Sequence, residues 1–490
     1  MKNLTIIIAL VLLTFSFSIA QNIKISPIDI NTNGDDFSSG ITLRANEMYF
    51  TSESSSGQNI YLAKMKNGKW VNEGKIDGDV NTGDQNGTAT LTPDGQYMIF
   101  ASYENDVNGL GRTDLYSARK INGEWSDIQN LGLAVNSKYW DSQPSITSDG
   151  KTLYFVSDRP STNGGTNIFY SVRTREGWSQ AKELSSVNTD NDEMSPFIAA
   201  DNKTFTFSSN KSGGEGGFDI YFARLNADFN AYNFKNAGPA INTKYDEYFY
   251  VVAANTDTAF FSTNKPSTKD NFNIYTAVPN PHVSDNVVFV HGIVKDANTK
   301  DPLGSDITIT DLTTGEVVAN LHSDDITGIY NSVLTGGRNY SITAEKDGYL
   351  FYSENFNIPA KIMNQDITKD IELSPIAKGK TRLLIFFDFD KTTIQNESKP
   401  ELTRLVKFMN DNPNVKIELQ GHTDDRGTDE YNDKLSLDRA NAIKQKLEES
   451  GVQSSRVSTK GFGKSQPLIV DTTEEARAKN RRVELVIVSL

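Results

Sequence analysis

The sequence predicts a multidomain protein with an all-β propeller of five blades, an all-β sandwich and an α/β domain at the C-terminus. Three observations support this prediction. Residues 21–280 repeat one strand pattern five times, residues 283–375 contain strands without that repeat, and residues 381–490 alternate between strand and helical spacing of apolar residues. The chain has 490 residues, more than one hydrophobic core usually organises, so several domains are expected.

Residues 1–20 are expected to form a secretory signal peptide. Lys2 precedes an apolar run from Leu4 to Phe17, and small residues ending in Ala20 come before Gln21. The run is shorter than the roughly 20 residues that a membrane span needs, which disfavours the alternative of a transmembrane anchor. We therefore expect cleavage after Ala20 and an exported chain with no transmembrane span in its mature part.

Composition excludes several classes of function. The formal net charge of −14 disfavours a nucleic-acid partner, because phosphates are bound by Lys and Arg. The chain has no cysteine, which excludes disulfides and thiolate chemistry. Its four histidines, at positions 282, 291, 322 and 422, lack metal-ligand spacing, so neither a metal ligand nor a cofactor is expected. Calcium in the predicted propeller stays an open alternative, because the acidic loops permit it although no EF-hand pattern is present.

Two markers define the repeat within residues 21–280. The first is Asp or Asn, then an aliphatic residue, then an aromatic one, and it recurs every 52 to 55 residues: Asn59-Ile60-Tyr61, Asp114-Leu115-Tyr116, Asn167-Ile168-Phe169, Asp219-Ile220-Tyr221 and Asn273-Ile274-Tyr275. The second is an Asn followed by Thr or Ser, at Asn31, Asn81, Asn136, Asn188 and Asn242. All-β units of about 50 residues are typical of propeller blades.

Turns between these strands support the same reading. Asp94-Gly95 and Asp149-Gly150 each precede an apolar, alternating run, which predicts hairpins. The units resemble the TolB-like propeller repeat, and we interpret the two markers as blade-packing signatures, with the loops available to bind a partner. The last unit lacks an outer strand after Tyr275, and residues 22–30 resemble that strand. The N-terminus is therefore predicted to complete the last blade and close the ring.

Pro279-Asn280-Pro281 interrupts the repeat and predicts a linker. The strands of residues 283–375, among them Val287–Val294 and Tyr340–Ala344, resemble the carboxypeptidase regulatory-like, transthyretin-like β-sandwich. That resemblance implies a spacer or a secondary interaction surface, without catalytic residues.

From Thr381 onward the pattern predicts a small α/β domain. Strands are predicted over residues 382–389, 415–420, 456–461 and 482–488. The first helix is predicted to begin with a capping box formed by Ser398 and Glu401 and to end at Asn412-Pro413. The second is predicted over residues 432–450 and closed by Gly451.

Several separated motifs of this domain agree in order and spacing with one family: Phe386–Asp390, Gly421–Gly427, Tyr431-Asn432, Leu435–Ala440, Gly461–Gly463 and Asn480–Glu484. The succession closely resembles the OmpA-like, peptidoglycan-associated domain of envelope proteins, including those of Bacteroidetes. The resemblance implies a non-catalytic module that binds the diaminopimelate of cell-wall stem peptides.

The family's ligand pair falls on Asp424 and Arg439. A carboxylate suits the ammonium of diaminopimelate, and a guanidinium suits its carboxylate through two parallel hydrogen bonds. The alternative is an ordinary surface salt bridge between the two. Residues expected beside the ligand are Phe389, Asp390, Thr423, Asn432, Arg481 and Arg482.

Within this set, Asn432 is expected to fix its loop more than to touch ligand. For Arg481 and Arg482, contact with the peptide and pairing with nearby Asp or Glu are equal alternatives. His422 is assigned a structural role, because no nucleophile or metal ligand accompanies it.

The predicted function is that of a non-catalytic envelope protein of the periplasm, associated with the outer membrane and with peptidoglycan. Its C-terminal domain is expected to bind the stem peptide, and its propeller an envelope protein. The domain order resembles wall-anchored accessory proteins of type IX secretion and gliding systems. One alternative is a general outer-membrane-to-wall tether without a dedicated partner. Another is a wall-targeted hydrolase, for which the sequence shows no catalytic set.

Overall fold

The structure is a computed structural model that describes residues 22–55, 57–83, 85–103, 109–162, 164–174, 176–266, 271–361, 366–388 and 390–490. The predicted signal peptide and the candidate ligand residue Phe389 lie outside the described residues. Within the described ranges, no helix combines the length and the apolar character that crossing a bilayer requires.

The described part of residues 22–280 is built almost entirely from strands. They are β1 (Lys24–Pro27), β2 (Asp35–Ile41), β3 (Glu47–Ser54), β4 (Gly57–Lys66), β5 (Lys69–Lys75), β6 (Gln85–Leu91), β7 (Tyr97–Tyr103), β8 (Asp114–Ile121), β9 (Glu124–Asn130), β10 (Asp141–Ile146), β11 (Thr152–Ser157), β12 (Asn167–Thr174), β13 (Gly177–Trp178), β14 (Lys182–Glu183), β15 (Glu193–Ile198), β16 (Thr204–Ser209), β17 (Asp219–Leu225), β18 (Ala231–Asn236), β19 (Glu247–Val252), β20 (Ala259–Thr263) and β21 (Asn273–Val278). A 3-10 helix covers Asp79–Thr82.

These strands pair antiparallel in sequence order within each repeat, as β2 to β5, β6 to β9, β10 to β12 with β13 and β14, β15 to β18, and β19 to β21. The first strands of successive repeats pack side by side, in the order β2, β6, β10, β15, β19 and back to β2. Strand β1 pairs with β21 from Lys24 opposite Val278 to Pro27 opposite Tyr275. The N-terminus therefore supplies the outer strand of the last repeat, as the sequence predicted.

The second sequence marker has the same role in every repeat. Its Asn side chain accepts from the backbone N–H, and donates to the backbone C=O, of the aliphatic residue in the first marker. These bonds measure 2.8 to 3.0 Å and join the pairs Asn31 with Ile274, Asn81 with Ile60, Asn136 with Leu115, Asn188 with Ile168 and Asn242 with Ile220. An Asn amide satisfies both backbone groups as a further strand would, which supports the interpretation of the markers as packing signatures.

Residues 287–373 form two sheets that enclose a separate hydrophobic core. The strands are β22 (Val287–Asp296), β23 (Asp306–Asp311), β24 (Val317–His322), β25 (Ile329–Thr335), β26 (Arg338–Glu345), β27 (Tyr352–Ile358), β28 (Asp366–Thr368) and β29 (Ile371–Leu373). One sheet joins β22 to β25, β28 and β29, and the other has the order β24-β23-β26-β27. Val290, Ile309 and Ile342 are fully buried between them.

The C-terminal domain is a four-stranded sheet with the order β30-β33-β31-β32 and three helices. Its elements are β30 (Lys380–Leu383), α1 (Lys399–Asp411), β31 (Lys416–His422), α2 (Asp429–Glu449), β32 (Val457–Gly461), α3 (Glu474–Asn480) and β33 (Arg482–Ser489), with 3-10 turns at Ile376–Lys378, Asn396–Ser398 and Ser454–Arg456. Helix α2 packs on β31 and β32, and α1 packs on α2. Gly451 has a φ of +92° and closes α2, as predicted.

Two local predictions for this domain were wrong. Helix α2 begins three residues earlier than predicted, because Thr428 caps it by accepting from the N–H of Tyr431. The first predicted strand, 382–389, ends at Leu383, and beyond it Phe387 makes only an isolated bridge with Ile394. Helix α3 was not predicted, since its seven residues carry little helical periodicity.

The predicted capping box of α1 is also wrong. Ser398 makes no side-chain cap; its hydroxyl instead accepts from the N–H of Phe386 at 2.8 Å. Glu401 is 3% exposed and accepts from Leu384 N–H at 2.9 Å and from Ser353 Oγ at 2.8 Å. The Glu401 carboxylate therefore stabilises the contact between the two-sheet domain and the C-terminal domain, and it does not cap helix α1.

That contact is also apolar. Leu350 and Phe351, which precede β27 of the sandwich, are buried in the hydrophobic core of the C-terminal domain. Arg404 of α1 pairs with Glu345 of β26 at 2.8 Å and with Glu401 at 2.6 Å. The two domains therefore share packing and charge across the predicted boundary.

Candidate functional site

The candidate site lies where strand β31 ends and helix α2 passes over it. A Cβ at Gly421 would lie 2.0 Å from the carbonyl oxygen of Ser436, so only glycine allows this approach of strand and helix. Ser436 is fully buried and accepts from the N–H of Gly463 at 3.0 Å. The Gly421–Gly427 motif thus directs the following loop to the face of α2 that carries Arg439.

Arg439 is a buried cation without an acidic partner among the described residues. It is 7% exposed, its guanidinium lies 5.0 Å from the ring centroid of Phe387, and its Nε donates to the carbonyl of Lys391 at 3.1 Å. Burial and the neighbouring Arg481 lower the pKa of Arg439, while Tyr431, Asp390 and Asp424 act to raise it. These charged and polar groups therefore surround one guanidinium whose terminal nitrogens remain available to a ligand.

Asp424 does not pair with Arg439. Its Oδ2 accepts from Arg481 at 2.8 Å, and its Oδ1 accepts from the N–H of Arg426 at 3.1 Å. Arg481 also donates to Glu474 at 3.0 Å. Burial acts against the charged form of Arg481, but hydrogen bonds to these two carboxylates raise its pKa. Arg481 is thus paired with nearby acids, and its contact with a peptide stays a prediction.

Asp390 is a second carboxylate close enough to act on the charge of Arg439. Its carboxylate accepts a hydrogen bond from the hydroxyl of Tyr431, on the first turn of α2. Both side chains are exposed. The structure thus brings Asp390 and Asp424, separated by 34 positions, to the surroundings of the same cation.

Asn432, Thr423 and Arg482 have structural contacts. Asn432 is 2% exposed and donates to the carbonyl of Arg426 at 2.8 Å, which fixes the loop as expected. Thr423 is buried, and its hydroxyl donates to the carbonyl of Asp424 at 3.1 Å. Arg482 is buried and its Nε donates to Glu484 at 2.8 Å.

His422 is 1% exposed and stacks on Phe462, with ring centroids 5.3 Å apart. Neither ring nitrogen has a hydrogen-bond partner in the described chain, and Nε2 lies 3.8 Å from Glu484 Oε2. Burial, helped by Arg482, lowers the pKa of His422 to about 4, so the ring is neutral at pH 7. Among the described residues no group of three or more His, Asp or Glu is arranged to hold a metal ion.

Sequence reasoning missed Phe387, Lys391 and Tyr431 as neighbours of Arg439. Phe387 lies within the Phe386–Asp390 motif, and Tyr431 belongs to the Tyr431-Asn432 motif, so both could have been proposed from the sequence. The carbonyl of Lys391 carries no sequence signal, because any residue has one.

Comparison with known proteins identifies this domain. The OmpA family profile matches residues 386–481. The peptidoglycan-associated lipoprotein of Pasteurella multocida is 41% identical over 101 residues, which are 21% of this chain and 67% of that protein. The chain belongs to the OmpA family. The predicted resemblance is confirmed, and the site described above lies within the OmpA domain.

Outer membrane proteins are also among the relatives. Outer membrane protein Omp38 of Acinetobacter baumannii is 37% identical over 126 residues, which are 26% of this chain and 33% of Omp38. This chain therefore spans about a third to a half of the length of the outer membrane proteins that it matches, which include outer membrane protein A of Bordetella avium at 53%. The names of these relatives agree with the predicted envelope location.

Two solved structures are each similar to a part of the chain. The peptidoglycan-associated lipoprotein of Burkholderia pseudomallei is 34% identical, with 21% of this chain and 87% of that chain covered and a TM-score of 0.21. TolB of Acinetobacter baumannii is 18% identical, with 51% of this chain and 55% of that chain covered and a TM-score of 0.34.

Proposed function

We propose that this protein is a non-catalytic envelope protein that anchors to peptidoglycan by recognising diaminopimelate in its OmpA domain. We place the anchored chain in the periplasm, associated with the outer membrane. The observation that carries the proposal is Arg439: a buried guanidinium on an aromatic ring, with one carbonyl as its hydrogen-bond partner and no ion pair in the described chain. A buried charge without a counterion is costly, and a ligand carboxylate would remove that cost.

The diaminopimelate side chain has the matching groups. Its D-centre carries a carboxylate and an ammonium on one carbon. The carboxylate would take the terminal nitrogens of Arg439 in a bidentate contact. Asp424 would take the ammonium, because each of its carboxylate oxygens accepts one hydrogen bond, Oδ2 from Arg481 and Oδ1 from the N–H of Arg426, and keeps further acceptor capacity. Asp390 would be a second acceptor near the ammonium.

Arg481 would hold the ligand pair indirectly. By binding Asp424 and Glu474 it fixes the Asp424 side chain in the loop after β31. Asn432 fixes the same loop from the helix side. In this proposal Arg481, Arg482, Thr423 and Asn432 position the pair, while Arg439 and Asp424 touch the ligand.

For the N-terminal part we propose a five-bladed propeller, residues 21–280, of the TolB-like type. The support is the ring of first strands, the shared asparagine bonds and the closing pair of β1 with β21. Residues 283–375 would be a transthyretin-like sandwich that spaces the propeller from the wall-binding domain at 381–490. The propeller loops would bind an envelope protein.

Sedimentation with purified sacculi tests the anchoring function. The full chain should pellet with sacculi that contain diaminopimelate, and Arg439→Ala should remain mostly in the supernatant. Arg119→Ala is a matched control, since Arg119 is 63% exposed on β8 of the propeller. Equal pelleting of the wild type and Arg439→Ala would contradict the proposed site.

Cross-linking in whole envelopes tests the propeller partner separately. If the propeller has a dedicated partner, one protein should be cross-linked to it in a fixed proportion. The same protein should be captured when Arg439→Ala has released the chain from the wall. Capture that disappears with wall binding would favour the general tether.

A further inference from the structure

A cleft of about 600 Å³ separates the OmpA domain from the sandwich and adjoins the diaminopimelate site. Arg439 and Arg481 line it on one side, together with Arg382 of β30 and His422 of β31. Asn339, Asn355 and Asn357 of the sandwich form the opposite wall. The OmpA side of the cleft therefore carries several cations, while the sandwich side combines these amides with Phe356 and the ion pair of Glu354 and Lys369.

The carboxylates that line the cleft are already neutralised. Glu354 accepts from Lys369 at 2.8 Å, and Glu475 accepts from Lys479 at 2.9 Å. Arg439 and Arg382, in contrast, have no carboxylate within 4 Å among the described residues. The two guanidinium groups therefore feel more distant carboxylates, Asp390 and Asp424 for Arg439 and Glu354 and Glu484 for Arg382, but form no direct ion pair within the described chain.

Two lining groups also lack hydrogen bonds. The Nε of Arg382 is buried and unpartnered, and both ring nitrogens of His422 are buried and unpartnered on a side chain that is 1% exposed. A neutral imidazole has one donor and one acceptor nitrogen. Buried polar groups are nearly always satisfied, so these unpaired groups beside one cleft indicate a missing ligand group. Burial and the nearby Arg482 lower the pKa of Arg382, a cost that a bound anion would relieve.

We infer that this cleft is a second subsite of the wall-peptide site, in which Arg382 and His422 bind a carboxylate and the sandwich asparagines bind peptide groups. The inference rests on the proposed function and extends it. In diaminopimelate stem peptides the preceding residue is D-glutamate linked through its side chain, so its α-carboxylate is free. That carboxylate is the group that we assign to Arg382.

With this assignment, residues of the sandwich also contact the stem peptide. Asn339 and Asn357 lie opposite each other on β26 and β27, and Asn355 lies on the same face of β27 as Asn357. Amide side chains can both donate to and accept from a peptide backbone. A stem peptide in the cleft would therefore contact both domains at once.

The test is calorimetric titration of the full chain with two peptides. The first is L-Ala-γ-D-Glu-diaminopimelate, and the second carries isoglutamine, whose α-carboxamide replaces the carboxylate. The wild type should bind the isoglutamate peptide about tenfold to a hundredfold more tightly, the range of one charge-assisted contact. Arg382→Gln should bring this ratio close to one while both peptides still bind through Arg439.

A second variant keeps the test independent of the fold around Arg382. Asn357→Asp places a carboxylate on the exposed part of the opposite wall and should weaken the isoglutamate peptide more than the isoglutamine peptide. Arg119→Gln is the control and should leave the ratio unchanged. Thermal melts of each variant accompany the titrations.

The outcomes separate this inference from the proposed function. Equal wild-type affinities for the two peptides, with binding still lost in Arg439→Ala, would overturn the second subsite and leave the anchoring function intact. A ratio that survives both Arg382→Gln and Asn357→Asp would place the carboxylate elsewhere and also overturn it. No binding of either peptide to the wild type would overturn both.

Discussion

Removing the N-terminal strand should destabilise the whole propeller, although the strand contributes only four paired residues. Deleting residues 22–32 removes β1, so the edge of β21 loses its partner strand and is exposed to solvent. The deletion also removes Ile28 and Ile30, which are 8% and 3% exposed. Burial of two such side chains stabilises the fold by about 3–6 kcal/mol.

A single substitution isolates the polar part of this closure. Asn31 exchanges two hydrogen bonds with the backbone of Ile274, 243 positions away in sequence. Asn31→Ala would leave the N–H of Ile274 without this partner, at a cost of about 1–3 kcal/mol, while the C=O of Ile274 would keep the hydrogen bond from the N–H of Ile28 at 3.1 Å. Asn136→Ala is the matched comparison. Asn136 makes the same two bonds to the backbone of Leu115, which is only 21 positions away in sequence.

Tryptophan fluorescence is a specific probe of these changes. All four tryptophans, at positions 70, 125, 140 and 178, lie within residues 22–280, the proposed propeller. Urea unfolding of the full chain should show the fluorescence transition at lower denaturant for the deletion and, by a smaller amount, for Asn31→Ala. An unchanged transition after the deletion would refute the claim that β1 closes the ring.

Three further predictions concern the C-terminal half. Burial lowers the pKa of His422 from 6.5 in the unfolded chain to about 4, so the stability that is present above pH 6.5 should be lost as the pH falls toward 4. His422→Phe should reduce this loss. If urea unfolding of the variant keeps the pH dependence of the wild type, the assignment to His422 is contradicted. Arg404→Ala leaves the Glu401 carboxylate buried without its cation and should cost about 3–5 kcal/mol, whereas the double variant with Glu401→Gln should recover part of this in the same denaturation assay. Phe351→Ala should increase hydrogen exchange in α2 of the OmpA domain, while Phe356→Ala, which truncates the sandwich core, should not; equal protection of α2 in both variants would argue against a shared core.

Sequence patterns predicted the strand repeats well because each marker acts locally. An asparagine that bonds the same aliphatic backbone in five repeats produces a regular spacing, and that spacing is visible without a structure. The closing strand was predictable for the same reason: the repeat made the missing element conspicuous. Helix α3 and the short β30 were not predicted correctly, since neither is long enough to show a period.

The candidate site was predictable in its residues but not in its pairings. Motifs identified Asp424 and Arg439, yet the choice of Arg481 as the partner of Asp424 depends on how α3 and β33 approach the loop after β31. Glu401 shows the same limit. Its position fits a capping box, but tertiary contacts with Ser353 and Arg404 determine its role.

The central claim is that Arg439 and Asp424 recognise the second amino-acid centre of diaminopimelate. The most direct measurement is calorimetric titration of the full chain with stem peptides that differ only in carrying diaminopimelate or lysine. The lysine peptide lacks the carboxylate that Arg439 would bind, so the wild type should bind it about tenfold to a hundredfold more weakly. Arg439→Ala should lose this preference, and Arg439→Lys should restore it poorly, since an ammonium cannot make the bidentate contact. Equal wild-type affinity for the two peptides, or normal diaminopimelate binding by an Arg439→Ala variant that melts much earlier, would show that Arg439 is a structural residue.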